Sequence, residues 1–409
     1  MSLRHIIIID DHATVCGGAT RVAIDEARGL SAAGFLVTYL AAIGPICAEL
    51  GSSSIRVILL DQHPLADSWK HPTAAFQSIW NRTAYRVMGE LLDQANPQST
   101  IVHVHGYSQT ISASPVRCAL DRGFEVVSTL HDYFAVCPNG GFFDYPMGHT
   151  CNRTPLSMSC ISRNCDKRNY ANKLYRVIKT YAQHSLSAVP SGLKTFIAVS
   201  ESSLFRMKNY LPRDATFFLL QNPCSVSRAP PVAAAAHDTV AAVGRLSPEK
   251  GIKLLVRAAR QTDTKMLFIG DGPLRHVAEA GGTYRVTGWV SHEEVLRLLN
   301  EVRCLVLPSL LPETHGLSVV DAAAKGLPSI VTDICGVAER IEHGKTGWRV
   351  PPGDVKALVA ALDAVKNDSV VSNIGAAAYV GYWTAPLSLD SHIRAILKVY
   401  QHILERARQ

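Results

Sequence analysis

The chain has 409 residues, 47% of them apolar and 18% charged, with a formal net charge of +7. That length suits two hydrophobic cores better than one, and the composition excludes a disordered chain. The charge excess is mild and dispersed: it is compatible with phosphate-bearing ligands or an anionic membrane surface and gives no argument for nucleic acid.

The start, MSLRHIIIIDDH, sets four isoleucines in a row before two acids. It reads as a buried first strand, because a secretory signal carries an apolar region of about 7–15 residues. No apolar run approaches the ~18 residues that cross a bilayer. The cytoplasm is the expected compartment, and the ten cysteines are expected there as thiols or metal ligands before disulfides.

Short β-branched runs follow at His5–Ile9, Phe35–Ala41, Ile55–Leu60, Thr100–Val104, Val126–Leu130 and Phe196–Val199. Amphipathic stretches lie between them, the pattern of buried parallel strands joined by helices. Between the last two strands sits an insert, 133–169, rich in Asn, Gly, Pro and Arg. Its cysteines, Cys137, Cys151, Cys160 and Cys165, are separated by 13, 8 and 4 residues. Four thiols in a segment with little core could hold a structural zinc, although none of these spacings is the tight two-residue knuckle; buried free thiols are the bland alternative. Next, Asn169–Ser187 sets Lys173, Arg176 and Lys179 beside Leu174, Val177, Ile178 and Tyr181. A basic amphipathic helix of this kind can lie on an anionic membrane, or it can pack on the core with a solvated charged face.

The N-terminal domain is expected to span 1–222. A Pro- and Ala-rich linker, 223–237, has no apolar period. The alternation then restarts with Thr239–Val243, Met266–Ile269, Tyr284–Val286, Arg303–Leu307 and Ser329–Val331, giving a second domain over 238–383. A last helical pattern, Leu387–Ala407, falls in a C-terminal segment, 384–409. Two doubly wound α/β domains facing each other across a ligand cleft are the economical reading.

The second domain holds the strongest chemistry. In VGRLSPEKG, Arg245 and Lys250 flank a Ser-Pro turn at a strand–helix junction, where two cations can neutralise a diphosphate. FIGDGPLR repeats the strand–turn–helix form around Gly270, whose missing side chain lets a ligand approach the backbone. In PSLLPETHGLSVVDAAAKGLP, the carboxylate of Glu313 precedes Gly316 and a helix start, and Asp321 follows eight residues later. A helix N-terminus suits phosphate and paired acids suit hydroxyls, so the stretch suggests a nucleotide sugar.

VGRLSPEKG, FIGDGPLR, VTGWVSHEEV, PSLLPETHGLSVVDAAAKGLP and GKTGWRVPPGD occur in that order across the second domain. With these spacings it resembles the nucleotide-sugar-binding half of a family 4 glycosyltransferase of GT-B fold. The N-terminal half adds CGGATRVAIDEARGLSAAGFLVTYLA, similar to the family's glycine-rich first loop and helix, and STLHDYFAVCPNGG. The resemblance implies that Arg245 and Lys250 bind the donor diphosphate and that Glu313, the first acid of a Glu-x7-Glu motif, contacts the donor sugar. Asp321 stands where a second Glu would hold the ribose, one methylene short. Backbone groups at Gly17, Gly18, Gly244, Gly270, Gly316 and Leu317 would cradle the donor, and His131 would stand by the scissile bond. His105 and His12 are as readily structural.

The same resemblance implies transfer with retention of configuration, no catalytic metal, and a C-terminal helix that returns to the N-terminal domain. The expected activity is transfer of a sugar from a nucleotide diphosphate sugar to a hydroxyl of a glycan or lipid-linked acceptor, in cell-surface polysaccharide biosynthesis. The enzyme would be cytoplasmic and peripheral on the inner membrane face. A nucleotide-sugar epimerase or hydrolase of the same fold, or an inactive scaffold subunit, are the rival readings.

Overall fold

The computed structural model describes residues 3–281 and 283–408. Residues 1, 2 and 409, at the ends of the expected first domain and last segment, lie outside the described residues. Strands β1 (His5–His12), β2 (Leu36–Ile43), β3 (Arg56–Leu59), β4 (Thr100–Val104), β5 (Glu125–Leu130), β8 (Thr195–Ala198) and β9 (Thr216–Leu219) form one sheet. A small hairpin, β6 (Phe143–Asp144) with β7 (His149–Thr150), sits in the insert between β5 and β8. The second sheet contains β10 (Thr239–Val243), β11 (Lys265–Ile269), β12 (Arg285–Val286), β13 (Cys304–Leu307), β14 (Ser329–Thr332) and β15 (Trp348–Val350). The strand orders are β3-β2-β1-β4-β5-β8-β9 and β12-β11-β10-β13-β14-β15. Every pairing within these two sheets is parallel.

Both sheets are wound in the same way. The order reverses between β1 and β4 in the first and between β10 and β13 in the second, and such switch points open a crevice at the carboxyl ends of the strands. The isoleucine run shows why the first sheet is covered on both faces. Side chains alternate along a strand, so Ile7 and Ile9 enter a core with Val102 and Phe196. Ile6 and Ile8 enter the opposite one with Ala27 and Leu30 of the helix Gly18–Ala32. All eleven strands expected from the sequence are present. β9 and β15 were not expected: β9 is a half-buried edge strand of four residues and β15 has only three, too short for a period to register.

Two helices end the chain, one against each sheet. Asp368–Thr384 packs on the second domain, and the Trp383 indole donates to the Ala324 carbonyl at 2.9 Å. Ser388 caps the next helix, Leu389–Arg406, which crosses to the first domain, where Ile396, Tyr400 and Ile403 join the core of Ile6 and Ile8.

That crossing carries a buried polar cluster. The Glu26 carboxylate, 1% exposed, accepts from Tyr400 Oη at 2.9 Å, from His103 Nδ1 at 2.7 Å and from His392 Nε2 at 3.1 Å. Burial alone would raise its pKa, but the neighbouring His103 and His105 hold it well below the usual carboxylate value. His105 stands 3.6 Å from the same carboxylate, and burial, with His103 beside it, pushes its pKa down to about 4. The sign of the linkage follows: below 6.5, the value of an unperturbed histidine, the unfolded chain takes up a proton that folded His105 refuses until about 4. Stability assigned to His105 is therefore lost as pH falls through this window. Urea unfolding of the unaltered protein should lose about 1.4 kcal/mol more per pH unit than His105→Asn between these limits, whatever the two stabilities are at neutral pH. Equal pH slopes would show that His105 is not held neutral.

Candidate active site between the two sheets

A cleft of about 510 Å³ lies between the carboxyl ends of the two sheets. It is lined by nine of the residues singled out in the sequence: Gly17, Gly18, His131, Gly244, Lys250, Glu313, Gly316, Leu317 and Asp321. Two others stand apart. Arg245 is an exposed side chain next to Gly244 that does not line the cleft. Gly270 lies behind the wall, where a Cβ would stand 2.1 Å from the Gly244 carbonyl oxygen, so its small size serves packing between two loops.

Close backbone approach sets the centre of the site. Gly251 follows Lys250 with φ +71, and a Cβ there would stand 2.0 Å from the Pro308 carbonyl oxygen. The loop after β10 is thereby pressed onto the loop after β13, and Lys250 Nζ meets Glu313 Oε2 at 2.7 Å. Burial works against the Lys250 ammonium, yet Glu313 holds its pKa above the ordinary lysine value. Glu313 Oε1 is buried without a hydrogen-bond partner. An orphaned carboxylate oxygen is costly unless something donates to it, and the residue that carries it lines the cleft. Next to it, no side chain caps the helix Leu317–Ala324, which starts at the cleft wall with its positive dipole end.

Contacts between the domains converge on the same loop. Thr314 Oγ1 donates to the His131 carbonyl at 2.6 Å, and the Thr314 carbonyl accepts from Ser200 Oγ at 2.6 Å. The glycine-rich first loop reaches across as well: a Cβ on Gly18 would lie 3.1 Å from Leu317 Cδ1. Glu339 accepts the backbone N–H groups of Glu201 and Ser202 at 3.1 and 2.6 Å, an acid at the start of the helix Glu201–Met207.

Asp321 is 3% exposed. Its Oδ2 lies 3.0 Å from His292 Nε2, and its Oδ1 accepts from Cys224 Sγ at 3.3 Å. The hydrogen bond to Asp321 raises the His292 pKa, while burial, with Asp321 beside it, pushes the Cys224 thiol up to about 12. His292, Cys224 and Thr314 were all missed in the sequence. For His292 a signal existed, since VTGWVSHEEV was one of the ordered motifs. Cys224 lies in the expected linker, 223–237, whose residues dock on the second domain, with Val232 N donating to Lys325 O at 2.8 Å.

His131 follows β5 directly. Its Nε2 lies 2.9 Å from His105 Nδ1. Burial, followed by the neighbouring His105 and His103, holds its pKa well below the usual histidine value. His105 thus belongs behind the site. His12 does not line the cleft; its carbonyl accepts from Tyr39 Oη at 3.1 Å in a structural role.

The zinc expectation for Cys137, Cys151, Cys160 and Cys165 is corrected. All four are free thiols, and among the described residues the only converging group of potential ligands is Glu26, His103 and His105. The insert is fastened by ion pairs instead: Arg163 forks onto Asp144 at 2.6 and 2.9 Å, and Arg176 meets Asp166 at 2.7 Å. The fully buried Lys173 ammonium lies 3.4 Å from Cys160 Sγ, where its charge would oppose a cation. The basic-helix expectation is corrected by the same contacts. In the helix Tyr170–Leu186, Lys173 and Arg176 turn inward, and Lys179 Nζ donates to the Ser108 carbonyl at 2.5 Å. Burial pushes the Lys179 pKa down to about 8. The outward residues are Leu174, Ile178 and Tyr181.

Residues 237–368 match the family model described as glycosyl transferases group 1. A 2-deoxystreptamine N-acetyl-D-glucosaminyltransferase of Niallia circulans is 33% identical over 149 residues, 33% of this chain and 38% of that protein. The chain thus spans less than two fifths of this relative. Over the whole length the likeness is one of fold. A sucrose-phosphate synthase from Thermosynechococcus elongatus superposes with a TM-score of 0.69 at 16% identity, covering 98% of this chain and 100% of that one. Anabaena HepE, solved in complex with UDP-glucose, gives 0.67 at 16% identity, covering 97% and 99%. The two parallel sheets, the cleft at their switch points and the full-length superpositions agree: the chain has the GT-B fold, and its residues 237–368 form a domain of the glycosyl transferases group 1 family.

Proposed function

We propose that the protein transfers a sugar, with retention, from a nucleotide diphosphate sugar to a hydroxyl of a glycan or lipid-linked acceptor. The carrying observation is the Lys250–Glu313 pair, with Glu313 Oε1 unpartnered beside an uncapped helix start. In this reading Lys250 and the N–H groups at Gly316 and Leu317 stabilise the diphosphate as it leaves. Glu313 Oε1 accepts from sugar hydroxyls, Asp321 from the ribose, and Gly17, Gly18 and Gly244 let the donor lie against backbone. Arg245 adds charge from the rim. The second domain holds the donor and the first presents the acceptor. Among the relatives, HepE was solved with UDP-glucose and an amylovoran biosynthesis glycosyltransferase of Erwinia amylovora is 32% identical over 140 residues. These support a uridine nucleotide as the first donor to test and cell-surface polysaccharide synthesis on the cytoplasmic side as the setting.

Incubation with a panel of nucleotide sugars should yield glycosyl transfer that requires an acceptor. Sugar release without one would favour a hydrolase, and donor binding without turnover would favour a scaffold. Lys250→Ala should lower kcat about a hundredfold to a thousandfold, the range for removing one donor to a developing charge. Its circular dichroism should be unchanged, and near-normal turnover would remove Lys250 from the site. Because Lys250 and the helix dipole supply positive charge at the diphosphate, transfer should persist after exhaustive chelation with EDTA. A strict need for added magnesium in the chemical step would contradict this.

Asp321→Ala should raise the donor KM more than it lowers kcat, since ribose contacts act alike in ground and transition states. A collapsed kcat at unchanged KM would instead put this carboxylate at the reacting centre.

A further inference from the structure

The chain of buried groups behind His131 decides which ring nitrogen carries its proton. Each neutral imidazole has one N–H donor and one acceptor nitrogen. His105 Nδ1 and His131 Nε2 are 2.9 Å apart, so one donates and the other accepts. The other nitrogen of His105, Nε2, is buried 3.6 Å from Glu26 Oε1 and has no hydrogen-bond partner. That separation is too long for a hydrogen bond, yet the field of the carboxylate still sets the sign. With the proton on Nε2, an N–H dipole points at a negative charge in a dry interior. With it on Nδ1, a lone pair would face that charge instead. The first arrangement wins, and it leaves His105 Nδ1 as the acceptor. His131 must then donate from Nε2, and its own lone pair resides on Nδ1.

A metal among Glu26, His103 and His105 is a weaker account of the same cluster. Glu26 Oε1 and His103 Nδ1 are 2.7 Å apart, a hydrogen-bond distance. Two ligands of a tetrahedral ion with ~2.0 Å bonds stand about 3.3 Å apart. Glu26 is also already engaged by Tyr400 and His392.

We propose that Glu26, acting through His105, is a positioning group that fixes His131 as the Nε2–H tautomer, so that His131 meets substrate in the cleft as a hydrogen-bond acceptor at Nδ1. The tautomer follows from the buried contacts alone; only the substrate hydroxyl as its partner rests on the proposed transferase reading. Depressed basicity of both rings supports the assignment, because each stays neutral at pH 7 with a single proton to place. His131 would thus accept from a hydroxyl of the sugar or of the acceptor, and it would not serve as a cationic donor to the leaving phosphate.

The test is nitrogen NMR of histidine-labelled protein without substrate, with His131 assigned by the signals lost in His131→Asn. From pH 6 to 8 the unaltered protein should show His131 Nε2 protonated and Nδ1 bare. His105→Asn can place its carbonyl oxygen near the Nδ1 position and should keep that pattern. His105→Phe removes the acceptor and should give a mixture of tautomers or a ring that titrates, with circular dichroism confirming the fold. In transfer assays, kcat/KM should fall about tenfold in His105→Phe and recover in His105→Asn, the scale of one lost hydrogen bond. A protonated Nδ1 or an imidazolium in the unaltered protein at pH 7, or an unchanged tautomer in His105→Phe, overturns the proposal. Absence of transfer by the unaltered protein would count against the transferase reading alone, and the NMR result would still decide this one.

Discussion

Partly burying an ammonium and a carboxylate costs solvation that their attraction offsets only where geometry holds them together, and the half-buried Lys250–Glu313 pair is held from both sides. Gly251 lets the chain pass beneath the Pro308 carbonyl, which brings Lys250 to the β13 loop. Gly336 N donates to the Glu313 carbonyl at 2.8 Å and fixes the other partner. One residue on, Thr314 binds the first domain through His131 and Ser200. Glu313 therefore cannot move independently of the contact between the domains. The same five residues, Pro312–Gly316, shape the cleft, hold its charge and join its walls.

The rest of the site is arranged around that loop by chain topology. Parallel sheets place all their carboxyl ends on one side, and each sheet switches direction next to its first strand. When the two sheets face each other at those ends, loops remote in sequence meet: the glycine loop after β1, His131 after β5, Lys250 after β10 and Glu313 after β13. The C-terminal helix Leu389–Arg406 ties this arrangement to the interior of the first domain. It brings Tyr400 and His392 to Glu26, and Glu26 lies one histidine behind His131. A helix that serves the packing of the whole chain thus also meets the polar groups behind the cleft.

Much of this was legible in the sequence because its physics is local. Apolar runs of four or five residues between helical stretches specify strands buried on both faces, and every one expected is present. Gly316 is legible as the glycine at a helix start; that it also packs closely, a Cβ there lying 2.6 Å from Val337 Cγ1, is seen only in the fold. What could not be read depends on partners far along the chain. His292 matters because Asp321, on another helix, is 3.0 Å away. Cys224 matters because the linker folds back on the second domain. Spacing alone cannot say what four thiols in an insert meet; here it is the buried ammonium of Lys173, from the next helix, that stands against Cys160 and Cys165.

The helix Tyr170–Leu186 shows the limit most clearly. Its sequence has two chemically distinct faces, and the ordinary expectation puts the apolar one inside. Here the insert supplies Asp166 for Arg176 and the Cys160 sulfur for Lys173, while the Ser108 carbonyl takes Lys179. Those partners satisfy the cations within the protein, so the basic face turns inward and Ile178 and Tyr181 turn out. Long stems help, because Lys and Arg pack their methylenes against apolar neighbours while the charged ends reach polar atoms. Amphipathic spacing reports that two faces differ. Which of them is buried depends on the partners that distant parts of the chain bring to it, and for this helix those partners are carboxylate, sulfur and carbonyl.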